Sequence, residues 1–372
     1  MRIRTGEYTF SSFLEELIKT EIQPGKHLRV ACFITAFNEW ESPHDPFSLK
    51  QLLGQNGVEV RELGEIRRLV GRYYNTRLRK NVRVELFAYL QPETSLLLCF
   101  TTANKEDVDG TIGRIADTFT GFYYVFISSK TFGMLEDFLF NRFRFIKITY
   151  FNAYRSSRFS FPSEIRPNFD RSIEYYGDDG RKTLKEFKQF YGVLPKIIRF
   201  SVPDFAAYQV HNGGQFTLYG DGEEQRRFML KIIDVAMKDI LLTRRVIETS
   251  SFELIPIETE RRVFRFPKLT PWIIRFSRPV EYLKGEDVIS VISGGNFSVF
   301  NHVFAKGSLR LNGMVVDKTK PCIFTIDVNS ERIVIAPFNE VSFDSFLRFY
   351  ETIIEGFDPD AVCERFEQQE EV

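Results

Sequence analysis

The tripeptide Asn212-Gly213-Gly214 separates two short runs that read as strands, Ala206 to Val210 and Gln215 to Tyr219. Glycine supplies the positive φ of a tight hairpin turn at no steric cost, so the two runs are predicted to pair antiparallel. The clearest helix in the chain follows, over Glu223 to Arg245. Phe228, Ile232, Val235, Ala236 and Ile240 track its inner face, with Arg227, Lys231, Asp234 and Lys238 largely outside. Short strands followed by an amphipathic helix place the chain in the mixed α+β class.

The same logic divides the remainder. Residues 1–64 read as a small α/β unit. Ser11 to Thr20 forms a helix, and Leu28 to Phe37 is an apolar run expected of a strand covered on both faces. A helix through Ser48 to Leu53 and a strand over Val58 to Leu63 complete a strand–helix–strand unit, which implies a parallel pair. Residues 65–168 read as a mixed α/β unit. It opens with a basic connector helix from Glu65 through Tyr74 and closes with an Arg-, Ser- and Pro-rich arm from Arg155 to Pro167. Residues 169–260 form the central α+β unit. There Gly177-Asp178-Asp179-Gly180 is a turn, Thr183 to Tyr191 a helix stopped by Gly192, and Lys196 to Val202 a strand. Residues 261–358 form a C-terminal α+β unit of short strands, Val288 to Ile292 among them, with a final helix over Phe343 to Ile354. Residues 359–372 are an acidic tail. Gly294-Gly295-Asn296-Phe297 echoes Gly213-Gly214-Gln215-Phe216 as a second hairpin tip. Strands followed by one long helix recur near 195–247 and 288–355, the pattern an internal duplication leaves.

The opening, a helix, an apolar strand and a later GVEVREL strand, resembles the phospholipase D nuclease fold in its order. That family works through a His, one residue, then Lys, with an Asp further on. None of His27, His44, His211 and His302 is followed by Lys two residues later. The resemblance therefore implies nothing about activity.

Composition narrows the function classes. Fifty basic residues balance fifty acidic ones, so no general electrostatic hold on nucleic acid or membrane is implied and any such binding needs local patches. No apolar run approaches the roughly 20 residues of a membrane span, and the N-terminus has no secretory leader pattern. Cys32, Cys99, Cys322 and Cys363 are far apart, which predicts free thiols, no zinc site and a reducing, cytoplasmic setting. Phenylalanine is the anomaly at 39 residues. Such an excess implies rings available to a protein partner or a second copy.

Catalytic motifs are weak. The histidines form no triad, and no glycine-rich cofactor signature follows a strand, so no cofactor is expected. Glu39, Glu41, His44 and Asp45 share one loop, and Asp170, Glu174, Asp178 and Asp179 another. Either set has ligands for a hard cation, although polar surface loops commonly look the same. Residues 177–183 lack Walker spacing, and Glu186-Phe187-Lys188 has the spacing of a metal nuclease but sits in a predicted helix.

Two basic stretches with interleaved rings remain. The first holds Arg67, Arg68, Arg72, Arg77, Arg79, Lys80 and Arg83 with Tyr73 and Tyr74. The second holds Arg261, Arg262, Arg265, Lys268, Arg275 and Arg278 with Phe264, Phe266, Trp272 and Phe276. Cations hold phosphates and exposed rings stack on bases. The expected function is a non-catalytic module or subunit that positions single-stranded or duplex DNA or RNA for a partner protein. The alternative is a metal-dependent nuclease with an unrecognised site.

Overall fold

The computed structural model describes residues 3–4, 6–41, 48–119, 121–159, 161, 163–249, 251–258, 263–280, 284–304, 309–319, 322–339 and 343–366. In chain order the first elements are α1 (Phe10–Lys19), β1 (Leu28–Thr35), α2 (Leu49–Gln55), β2 (Glu59–Leu63), β3 (Ile66–Asn75), β4 (Lys80–Gln91) and β5 (Leu96–Thr101). Then come α3 (Lys105–Val108), a π-helical turn (Asp109–Gly113), α4 (Arg114–Thr118), β6 (Phe122–Tyr124), α5 (Ser129–Arg142), β7 (Lys147–Arg155) and β8 (Arg171–Tyr176). The centre is α6 (Gly180–Tyr191), β9 (Leu194–Val202), β10 (Ala206–His211), β11 (Gln215–Tyr219) and α7 (Glu223–Glu248). The last part is β12 (Ser251–Glu258), β13 (Val263–Thr270), β14 (Trp272–Arg275), α8 (Gly285–Ser293), β15 (Phe297–Phe304), β16 (Leu311–Asp317), β17 (Ile323–Val328), β18 (Arg332–Pro337), α9 (Phe343–Gly356) and β19 (Val362–Arg365).

The fold is α+β. The larger sheet runs β2-β3-β4-β5-β1-β11-β10-β9-β7-β8, with β6 also on β1. It continues without a break across residues 64 and 168, where unit boundaries are expected from the sequence. β1 is its centre, buried at nearly every position because helices or loops cover both faces. Its neighbours are antiparallel: β5 on one edge, β11 and then β6 on the other. The predicted parallel pair is therefore absent, because β1 and β2 are separated by three other strands. A second sheet runs β15-β16-β17-β18-β14-β19, and β12 pairs β13 alone. The last strand, β19, lies within the stretch read as a tail. Glu367 to Val372 lie outside the described residues.

Helix ends follow local rules. The Thr9 side chain accepts from the Ser12 amide and starts α1. Glu223 and Glu224 lie at the positive end of α7. Gly192 ends α6 with a φ of 54°, a conformation that costs glycine little. One core packs α1, α5 and α7 on one face of the larger sheet and continues into the second sheet beneath α8 and α9. A second core lies on the opposite face, under α2 and the segment from α3 to α4. Most of the phenylalanine excess is used here. Phe324 packs edge-on against Phe349 and Phe346, with ring centres 4.9 and 5.2 Å apart.

Two sequence readings are corrected. Ile66 to Tyr74 is strand, not helix. Its apolar residues recur at helical spacing only because Ile66 enters one core and Leu69 the other, on opposite sheet faces. Val288 to Ile292 is helix, not strand, with Val288 and Ile292 one turn apart and both buried. Gly294-Gly295 is accordingly a helix-to-strand turn rather than a hairpin tip.

Candidate functional site

The first basic stretch folds into a projecting β-ribbon. β3 pairs β2 only as far as Val70, and β4 pairs β5 only as far as Phe87. From Gly71–Val84 to Asn75–Lys80 the two strands have only each other. One ribbon face rests on α3 and the π-helical turn, where the Tyr73 hydroxyl donates to Asp107 at 2.7 Å. The other face places Arg72 directly opposite Arg83 and Tyr74 opposite Asn81. Arg77, Leu78, Arg79 and Lys80 form the tip, all exposed. Tyr74 is 58% exposed. Between Ile66 and Val84 there is no acidic residue. Arg77 reaches Glu106 at 3.4 Å. Among the described residues, Arg72, Arg79, Lys80 and Arg83 have no carboxylate partner.

Arg67 and Arg68 belong elsewhere. Arg67 lies over the Trp40 ring, 5.6 Å from its centre, and donates to the Gly64 carbonyl. Arg68 pairs with Glu85. Arg67 also lines a hollow of about 670 Å³ with Glu39, Glu41, Glu62, Glu65 and Glu93. Lys50 pairs with Glu41 there and holds its carboxyl below the usual range. His44 and Asp45 lie outside the described residues.

The second basic stretch is only partly described. Arg261 and Arg262 lie outside the described residues. Arg265 stands on β13 opposite Pro256. Lys268 and Arg278 are exposed, and Arg275 is paired with Glu364 at 2.7 Å. Trp272 is fully buried, its ring 5.8 Å from that of Phe346. It is a core residue with no face to offer a base. Its apolar bulk packs where the first core continues into the second sheet.

The acidic groups do not converge. Asp170 accepts from the Ser157 amide, Glu174 from Asn152, Asp178 from Lys147 and Asp179 from Tyr175. Glu186 and Lys188 lie on α6, as read from the sequence. Among the described residues no three His, Cys, Asp or Glu side chains are placed to share a metal ion. Cys32, Cys99 and Cys322 are buried free thiols. No helix among the described residues is long and apolar enough to cross a membrane.

One surface was not anticipated. The second core contains no residue of β7 through β11. On that face of those strands most residues are polar or aromatic, Ile197 and Ala207 apart, and they stand in register. Arg29 faces Thr217, Thr217 faces Gln209, Gln209 faces Arg199, Arg199 faces Tyr150, and Tyr150 faces Tyr176. The Arg199 guanidinium lies 4.5 Å from the Tyr219 ring centre and 5.3 Å from that of Tyr150. It donates twice to Gln209 Oε1, at 3.0 and 2.7 Å. Gln209 Nε2 meets His211 Nε2 at 2.9 Å. Burial first, then the charge of Lys105, pushes His211 down to about 4, so its imidazole is neutral at pH 7. The Tyr150 and Tyr176 ring centres are 4.7 Å apart, and Tyr176 is 70% exposed. The signal in the sequence is period-2 polarity, as in Gln209 and His211 or Gln215, Thr217 and Tyr219.

A family model described as the AF_0896_M family middle domain matches residues 134–213. Those residues run from within α5 to the turn before β11 and carry Tyr150, Tyr176, Arg199 and Gln209. A protein of Archaeoglobus fulgidus described as an uncharacterized protein is 24% identical over 220 residues. That match covers 57% of this chain and 59% of the relative's length.

Proposed function

We propose that this chain is a nucleic-acid-associated module or subunit that holds DNA or RNA for a partner protein. The β3–β4 ribbon is the observation that carries the reading. Like charges directly opposite across a strand pair destabilise it, yet Arg72 and Arg83 face each other with no carboxylate partner among the described residues. A phosphate between them would remove that repulsion and engage both forks. Arg77, Arg79 and Lys80 extend the charge to the tip. A two-stranded ribbon also fits the duplex major groove, which is roughly 12 Å wide. Exposed rings at Phe145, Phe169 and Phe338 offer apolar surface to a protein partner.

The test is a variant carrying Arg72→Ala, Arg79→Ala, Lys80→Ala and Arg83→Ala. Its affinity for a duplex two helical turns long is measured across a salt series. Binding should weaken, and the slope of log affinity against log salt should become shallower by about 0.9 for each phosphate the variant no longer neutralises. An unchanged slope and affinity in a variant that still unfolds cooperatively would reject the reading.

A further inference from the structure

We infer that the face of β7 to β11 opposite the first core binds a single strand of nucleic acid, with an unpaired base stacked on the exposed Tyr176 and backbone phosphate held near Arg199 and Arg29. The inference rests on the nucleic-acid reading above but on none of the ribbon's residues.

Three observations point to this occupant. The first is charge. Arg29 and Arg199 lie on the shared register row, and among the described residues neither has a carboxylate within ion-pair distance. Arg29 is substantially buried, and its one hydrogen bond, at 2.5 Å, goes to the Ala103 carbonyl. Asp107 acts on Arg29 only from beyond ion-pair distance, and partly desolvated cations attract an anion more strongly than fully solvated ones.

The second is the arrangement of rings. His27, Tyr219, Arg199, Tyr150 and Tyr176 form a continuous series with centre-to-centre distances of 4.5, 4.5, 5.3 and 4.7 Å, the ring pairs at its ends tilted by 55° and 43°. At one end the series stops at Tyr176, on the sheet's last strand, with the ring largely in water. One more flat group extends it. A nucleobase has that shape, and stacking on tyrosine tolerates any base because each has a π-face.

The third is polarity. Gln209 and Asn152 place side-chain amides on the same face, where they hold their neighbours, Gln209 accepting from Arg199 and Asn152 donating to Glu174. A protein partner seated centrally would be expected to meet an apolar patch, and this surface is polar instead, with two arginines on its register row and one carboxylate, Glu174, beside Asn152. A duplex keeps its bases stacked inside and cannot place one on Tyr176. A single strand satisfies the exposed ring and the cations together.

The experiment uses the full chain and three labelled oligomers of equal length: oligothymidylate, oligouridylate, and a deoxyribose-phosphate backbone without bases. Binding is followed by fluorescence anisotropy for the parent, Tyr176→Ala and Tyr176→Phe. The base-bearing strands should lose on the order of ten-fold in affinity with Tyr176→Ala and little with Tyr176→Phe. The abasic backbone should bind the parent more weakly and be indifferent to either change. A loss on both the deoxy and ribo arms assigns base stacking alone, and a loss confined to one arm adds recognition of the sugar. Equal affinity of the abasic and base-bearing strands, or no effect of Tyr176→Ala on either, would overturn the inference. Duplex binding should be unaffected by Tyr176→Ala, so a failure here is distinguishable from failure of the ribbon, whose variant reads out on duplex.

Discussion

Arg226 donates to the main-chain carbonyl of Ile18 at 2.6 Å, across 208 positions of sequence. A second bond reaches the Thr20 carbonyl, also at 2.6 Å, and others reach Asp221. One buried guanidinium on the first turn of α7 thus satisfies carbonyls at the end of α1 that the helix itself leaves open. Arg226→Ala should destabilise the chain by about 2–4 kcal/mol in urea unfolding, because buried acceptors lose their donors. Arg226→Lys should recover little, since an ammonium cannot reproduce the fork.

Gly214 closes the β10–β11 hairpin and also continues the β1 ladder, where the Cys32 amide donates to its carbonyl at 2.9 Å. Its φ is 66°, and a Cβ there would lie 2.7 Å from the Val125 carbonyl oxygen. Gly214→Ala should cost more than about 1 kcal/mol through backbone strain and collision together. Gly213→Ala, with open space at its Cβ and no positive φ, is the control that should cost less in the same unfolding measurement.

His211 gives stability a pH dependence with a defined sign. Folding lowers its pKa from an ordinary 6.5 to about 4, so the unfolded chain takes up the proton first as pH falls. The contribution is complete above pH 6.5 and is lost as pH falls toward 4. By linkage it amounts to about 3 kcal/mol at most. His211→Gln, which keeps a polar tip beside Gln209, should flatten the unfolding free energy across that window.

Glu351 works in the opposite direction. Burial first, then the charge of Glu355 one turn along α9, pushes its carboxyl up to about 8. The folded state then holds a proton that the unfolded chain releases near 4.5, and stability falls as pH rises from 4.5 toward 8. Glu351→Gln should raise the melting temperature at pH 9 and change it little at pH 4.

The four ribbon substitutions should leave stability within about 0.5 kcal/mol of the parent or improve it, because exposed cations without partners contribute little to folding. A large drop in melting temperature would assign those arginines to structure.

Much of the local structure was legible. Asn212-Gly213-Gly214 is the hairpin tip, Glu223 to Arg245 lies within α7, and Gly192 ends α6. These are decided by backbone conformation or by one long apolar face, which neighbours do not alter. Ile66 to Tyr74 was not legible because a strand with a core on each face can show helical spacing by coincidence. The ribbon's cations were legible as a stretch, but not the separation of Arg67 and Arg68 from the rest, which depends on Trp40 and Glu85. The polar face left only a period-2 trace on single strands and was not legible as a surface. Its residues come one or two at a time from strands scattered between positions 27 and 219, and only the sheet order assembles them.

That sheet order bears on how the protein is made. β1, LRVACFIT, leaves the ribosome long before β11, yet one of its edges is completed only by residues 215–219. Until then an apolar strand has an open edge, the kind of surface that recruits other chains. Pairings so distant in sequence close slowly. A nascent chain halted before Gln215 has its central strand half paired, and cells that produce such fragments should clear them or clump them.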